Sequence, residues 1–263
     1  MYPERIVCLT EETTETLYLL GEQDRIVGIS GFAVRPPRAR REKPKVSAFT
    51  SANIGRILAL EPDLVLGFSD LQADIAAQLI RAGVAVHVFN QRTVQGILDM
   101  VIALGSLVGA RERAERLVAD LRAGLAEIER EASRLPRRPR VYFEEWDDPP
   151  IGGIGWVGEL VELAGGRECF PELRGKGLAR DRIVDPDEVV RRRPEIIVAS
   201  WCGKRFRPER VRARPGWDLV PAVRDGELHE LPASEILSPG PAALTDGARG
   251  LHRIFMAWAE RRA

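Results

Sequence analysis

The run Pro139-Arg140-Val141-Tyr142-Phe143-Glu144-Glu145-Trp146-Asp147-Asp148-Pro149-Pro150 opens like a strand and then sets four carboxylates around one indole. Such acids could exchange protons, bind a metal, recognise a ligand or face solvent. Adjacent strand residues point to opposite faces, so only one of Glu144 and Glu145 can face a given ligand directly. That spacing argues against a hydrolytic pair working across a cleft. Gly-x-Ser-x-Gly and Walker-type Gly-Lys-Ser/Thr motifs are absent. Gly152-Gly153-Ile154-Gly155 has no basic anchor after it and reads as a flexible loop into a helix at Trp156, not as a nucleotide fingerprint. No catalytic residue is assigned. Asp147 and Asp148 read as solvated turn residues before the two prolines.

Metal ligation has little support. His87, His229 and His252 stand apart in sequence and read as structural. Cys8, Cys169 and Cys202 are odd in number and widely spaced, which implies neither a disulfide framework nor a metal site. Cys202, directly after Trp201, is open to two readings, a soft ligand or a small buried hydrophobe. The aromatic residues are more telling. Phe32, Phe49, Phe68, Trp146, Trp156 and Trp201 fall in expected loops or strand ends, where they would offer broad surfaces to a large flat ligand. Trp217 and Trp258 fit core positions.

These residues need elements to hold them. Strand-like and helix-like segments alternate from Ile6 to Phe89, which predicts a parallel sheet with helices on its faces. From Thr93 to Leu135 there is no strand signal. Apolar residues from Ala114 to Leu135 recur every three or four positions and predict one long helix. Asn53–Leu66 and Pro186–Val198 then echo each other: a short helix, a proline, an acid, a buried strand. Glu15–Gly21 echoes Glu159–Gly165, and Ala85–Asn90 echoes Glu227–Pro232, in the same order. The expectation is an α/β protein of two Rossmann-like lobes with central parallel sheets, bridged by a single long helix. The lobes span 1–108 and 137–263, with the bridge at 109–136. Ligands of open α/β sheets lie at the carboxyl ends of the strands. That places Phe32, Phe68, Glu144, Glu145, Trp146, Trp201 and Cys202 in a cleft between the lobes.

Thirty-nine basic and thirty-nine acidic residues cancel over 263 residues, so no bulk charge draws the chain to nucleic acid. No apolar run reaches the roughly 20 residues that span a bilayer. Met1-Tyr2-Pro3 leads almost at once into the first strand, from which a cytoplasmic protein is expected. A removed leader would make it periplasmic or surface-anchored.

The stretches RIVCLTEETTETLYLLGEQDRIVGIS and KPKVSAFTSANIGRILALEPDLVLGF, with LVELAGG and SPGPAAL later in the chain, resemble the metal-chelate solute-binding proteins that feed ABC importers, in particular the cobalamin-binding members. The resemblance covers nearly the whole chain. It implies a class III periplasmic-binding-protein fold (a helical-backbone metal receptor) that changes relatively little in shape on binding. It places Phe32, Phe49 and Phe68 at cleft aromatic positions and Glu235 at a cleft glutamate. Glu145 falls near a further aromatic position, which is a departure. With Trp146, Trp156, Trp201 and Cys202, Glu144 and Glu145 form the expected rim of the C-terminal lobe. An acid-rich rim without arginine suits a neutral or cationic ligand, such as the amide fringe of a corrinoid, although Lys204 and Arg205 lie close by. The resemblance implies a non-catalytic monomer that binds cobalamin and has no catalytic cofactor. Haem, a siderophore or another chelate is the alternative ligand. An enzyme on the same fold using Glu144 or Glu145 is the alternative activity. The family docks on its permease through one acid per lobe. Asp187 keeps the second, and Gly55 stands where the first would be.

Overall fold

The computed structural model describes residues 2–262. It divides into two compact units, Met1–Gln91 with Gln95–Leu121, and Arg92–Val94 with Arg122–Ala263. The first unit is built on five short strands: β1 (Ile6–Cys8), β2 (Ile26–Ser30), β3 (Lys45–Ser47), β4 (Leu64–Phe68) and β5 (Val86–Phe89). They pair in the order β3-β2-β1-β4-β5, all parallel. β1 and β4 are buried along their whole length. This is what a sheet covered on both faces demands, and it explains why they read as unbroken apolar runs.

The second unit contains β6 (Arg140–Asp147), β7 (Pro150–Gly152), β8 (Arg167–Glu168), β9 (Ile196–Ala199) and β10 (Leu228–Glu230). Their order is β10-β9-β6-β7, with β8 also on β6. The pairings are parallel except β6 with β7, which is antiparallel. Gly152 therefore lies in an edge strand, not in the flexible loop expected from its glycines. The core of this unit gathers Tyr142, Ile197, Trp201, Phe206 and Trp217.

The long helix expected over 109–136 is Arg111–Ala132, and a further helix, Val94–Leu107, precedes it. Gly109 between them has φ of 73°, and a Cβ there would strike the Tyr2 ring. The second helix has 22 residues, about 33 Å at 1.5 Å each. Its buried residues are Ala114, Val118, Leu121, Leu125, Ile128 and Ala132, the stripe that the spacing foretold. It runs from the first unit into the second.

The internal echo extends to the backbone. Glu61 and Arg193, each just before the proline, are left-handed, with φ of 47° and 51°. The acid after each proline then holds the start of a neighbouring strand. Asp63 accepts from the N–H groups of Glu4 and Arg5 at 2.7 and 3.0 Å, ahead of β1. Glu195 accepts from the N–H of Arg140 at 3.0 Å, where β6 begins. Arg5 and Arg140 answer in kind. Arg5 donates to the carbonyls of Leu60 and Glu61, and Arg140 to that of Arg193.

Candidate functional site

At the carboxyl end of the first sheet, the residues named from sequence differ in exposure. Phe32 is 60% exposed, Phe49 is half-buried, and Phe68 is buried. Leu71 joins them at 55% exposed; a lone leucine in a polar turn gave no signal in the sequence. The segment after Phe32 is clasped to the first helix, Glu11–Leu19. Glu11 Oε1 accepts from the N–H groups of Val34 and Arg35 at 2.8 and 3.0 Å, and Arg35 donates to Glu15 at 2.9 Å. Burial, with Glu15 and Glu12 adding to it, pushes the Glu11 carboxyl up to about 7 despite the two N–H donors.

At the end of β6 the carboxylates are not a free acidic rim. Glu144 is completely buried. Its oxygens take two N–H donors from Arg214 at 2.6 and 2.9 Å and the indole N–H of Trp201 at 3.0 Å. Burial pulls the Arg214 guanidinium down, but Glu144 outweighs it and the net shift is upward. Glu145, across the strand, meets Arg182 at 2.5 Å. Arg182 is itself 1% exposed and also donates to the Gly152 carbonyl. Asp147 is paired with Lys204 and, at 2.8 Å, with Arg210. Its burial favours the neutral acid, yet these cations hold its carboxyl below the usual range.

Several expectations are thereby corrected. Asp147 is an interior ion-pair partner rather than a solvated turn residue, although Asp148 is exposed. Arginines do reach this end of the sheet, from 37 to 70 residues away in sequence. Glu144 offers no oxygen to a ligand, because Arg214 and Trp201 fill it. Trp156 and Trp201 are likewise interior, at 2% and 3% exposed. The Trp156 indole donates to the Ile236 carbonyl at 2.9 Å and so braces the short helix Ala233–Ile236 that carries half-buried Glu235.

Trp146, Lys204 and Cys202 are the accessible part. Trp146 is half-buried, its indole N–H donates to the Asp148 carbonyl at 2.9 Å, and Lys204 Nζ lies 3.6 Å from its ring centroid. Cys202 is exposed, but burial of the thiol group and the nearby Glu145 raise its pKa, which disfavours the thiolate a metal would need. Arg205 and Arg207 follow, both exposed. Among the described residues no three His, Cys, Asp or Glu side chains converge to hold a metal ion. His87 and His229 lie on β5 and β10.

The glycine-rich stretch continues to Gly158, so Gly153-Ile154-Gly155-Trp156-Val157-Gly158 completes a Gly-x-Gly-x-x-Gly spacing. The structure gives those glycines a packing reason. A Cβ on Gly155 would lie 2.5 Å from the Arg92 carbonyl oxygen and 2.8 Å from that of Arg174, and one on Gly158 would strike the Glu168 carboxylate. Carbonyl and carboxylate oxygens crowd the helix start where a phosphate would have to sit. The strand before it is the antiparallel β7 rather than the parallel strand of a dinucleotide site.

Several known proteins are similar to this chain. A halobacterial protein called cobalamin-binding protein (Halobacterium salinarum) is 30% identical over 200 residues, 72% of this chain and 53% of its own length. The chain thus spans about half of that relative. A vitamin B12-binding protein of Vibrio campbellii is 27% identical over 75% of this chain and 70% of its own length. A substrate-binding lipoprotein of an ABC transporter in Bacillus subtilis, YvrC, is 24% identical over 91% of this chain and 76% of its own length. Among solved structures, the periplasmic vitamin B12-binding protein BtuF of Vibrio cholerae superposes with a TM-score of 0.77 at 23% identity, covering 98% of both chains. The apo form of the periplasmic haem-binding protein RhuT of Roseiflexus does so at 0.80 and 24% identity, over 95% of this chain and 98% of its own. These two show the shared fold. No helix among the described residues is long and apolar enough to cross a membrane. The expectation of a cytoplasmic protein gains nothing from relatives described as periplasmic or as lipoproteins. A profile of the family described as periplasmic binding protein matches residues 6–235, and the chain belongs to that family.

Proposed function

We propose that the chain is a non-catalytic binding protein for a metal chelate, with cobalamin or a related corrinoid as its ligand, serving ABC-type uptake outside the cytoplasm. The observation that carries this reading is the pairing of Glu144, Glu145 and Asp147 with arginine and lysine beside the accessible Trp146. The oxygens of Glu144 and Glu145 are already taken by arginine donors, whereas the indole and its neighbours offer a broad surface. The same pairing speaks against an enzyme built on Glu144 or Glu145. Two relatives named for binding cobalamin or vitamin B12 support the corrinoid. The ligand-facing set is then Phe32, Phe49 and Leu71 in the first unit, with buried Phe68 behind them, and Glu145, Trp146, Cys202 and Glu235 in the second. Glu144, Trp156 and Trp201 act behind them as supports. Exposed Asp187 serves docking on a permease in this reading, with no carboxylate at exposed Gly55 to match it.

A second reading has one observation in its favour. Arg205 and Arg207 extend the positive flank begun by Lys204 and suit a chelate bearing carboxylates, such as haem or a siderophore. Absorption spectra recorded during titration with cyanocobalamin, aquocobalamin, haemin and a ferric siderophore separate the two. Saturable changes with either corrinoid and none with haemin or siderophore are expected. The reverse pattern would transfer the assignment to the carboxylate-bearing chelates.

A further inference from the structure

Gln72 ends the short turn Asp70–Gln72 that follows β4, and it is 1% exposed. Its side-chain amide joins three separate chain segments. Oε1 accepts from the Phe68 N–H at 2.9 Å, at the end of β4. Nε2 donates to the Phe49 carbonyl at 2.9 Å, in the turn after β3, and to the Leu9 carbonyl at 3.4 Å, just after β1. The backbone is shaped to allow this. Ser69 adopts a φ of 62°, and its hydroxyl accepts from the Leu71 N–H at 3.2 Å. The turn thus sends Leu71 outward and Gln72 inward. A Cβ at Gly67 would lie 2.8 Å from Gln72 Oε1, so glycine leaves the amide its place. A neutral amide supplies both the donors and the acceptor that these partners require. An ionised carboxylate lacks the donors, and an apolar chain lacks both.

We infer that Gln72 is a positioning residue for the ligand face of the first unit, fixing Phe49 and Phe68 relative to each other without touching the ligand. The inference rests on the chelate-binding reading above. Its test uses Gln72→Glu and the isosteric, apolar Gln72→Met in the full chain. Amide hydrogen exchange is followed at Phe68 and across residues 47–53, corrected for intrinsic rates, and binding is measured with cyanocobalamin and haemin. At pH 8, Gln72→Glu keeps an acceptor for the Phe68 N–H but loses both donors, so it should speed exchange across 47–53 and weaken whichever probe the wild type binds, each by about tenfold or more, whereas Gln72→Met should speed exchange at Phe68 as well. At pH 5 the carboxyl introduced by Gln72→Glu takes up a proton and can donate again, and exchange and affinity should recover in part. Gln72→Met should recover neither. A purely structural contribution would lower the unfolding midpoint and leave affinity alike at both pH values. Wild-type exchange in both variants, or faster exchange with unchanged affinity, would overturn the inference. If the wild type binds neither probe, the chelate reading fails separately, and exchange at Phe68 and 47–53 decides whether Gln72 positions them.

Discussion

Inside the second unit, Glu144 accepts two donors from Arg214 and a third from Trp201. Removing one partner of such a pair leaves a charge in the interior with nothing to balance it. Arg214→Met is therefore expected to lower the unfolding free energy by about 3–5 kcal/mol. Replacing Glu144 by Leu in the same chain should restore much of that loss, as urea denaturation of the single and double variants would show. A single-variant cost under about 1 kcal/mol would mean that the pair is well solvated. The sequence displayed the four acids but concealed their partners. Arg182 and Arg214 lie 37 and 70 residues away, and nothing in local spacing announces a contact that only the sheet creates.

At the scale of elements, the duplicated Pro-acid turn ties each helix end to a neighbouring strand. Loss of the carboxylate leaves backbone N–H groups without their acceptor. Glu195→Ala should cost about 2 kcal/mol, and Asp63→Ala, whose residue is exposed, about 1 kcal/mol. Equal costs, or a larger one for Asp63, would show that burial does not govern them. The clasp between Glu11 and the segment after Phe32 titrates as well. The folded-state pKa of Glu11 is raised, from 4.5 to about 7, so its stabilising contribution is complete below about pH 4.5 and is lost as pH rises to about 7. In Glu11→Gln that part of the decline should vanish from unfolding curves measured between pH 4 and 8. An unchanged slope would place the titration elsewhere. The echo behind the paired turns was legible because helix, proline, acid and strand are all local signals. The contact at Gly109 was not: the Tyr2 ring that packs there lies more than a hundred positions earlier.

For the whole molecule, two α/β units on largely parallel sheets could be read from alternating apolar segments and their repetition. The character of the site could not. An acid-rich rim became a charge-paired one, and a ligand preference argued from bare carboxylates lost its footing. Binding is now assigned to a surface that includes Trp146. The most direct test is calorimetric titration of the protein with cyanocobalamin, repeated with Trp146→Ala. One-to-one binding is predicted, weakened about tenfold or more in the variant, or roughly 1.4 kcal/mol, with little change in its melting temperature. No heat at high micromolar ligand, or equal affinity in the two proteins, would contradict it.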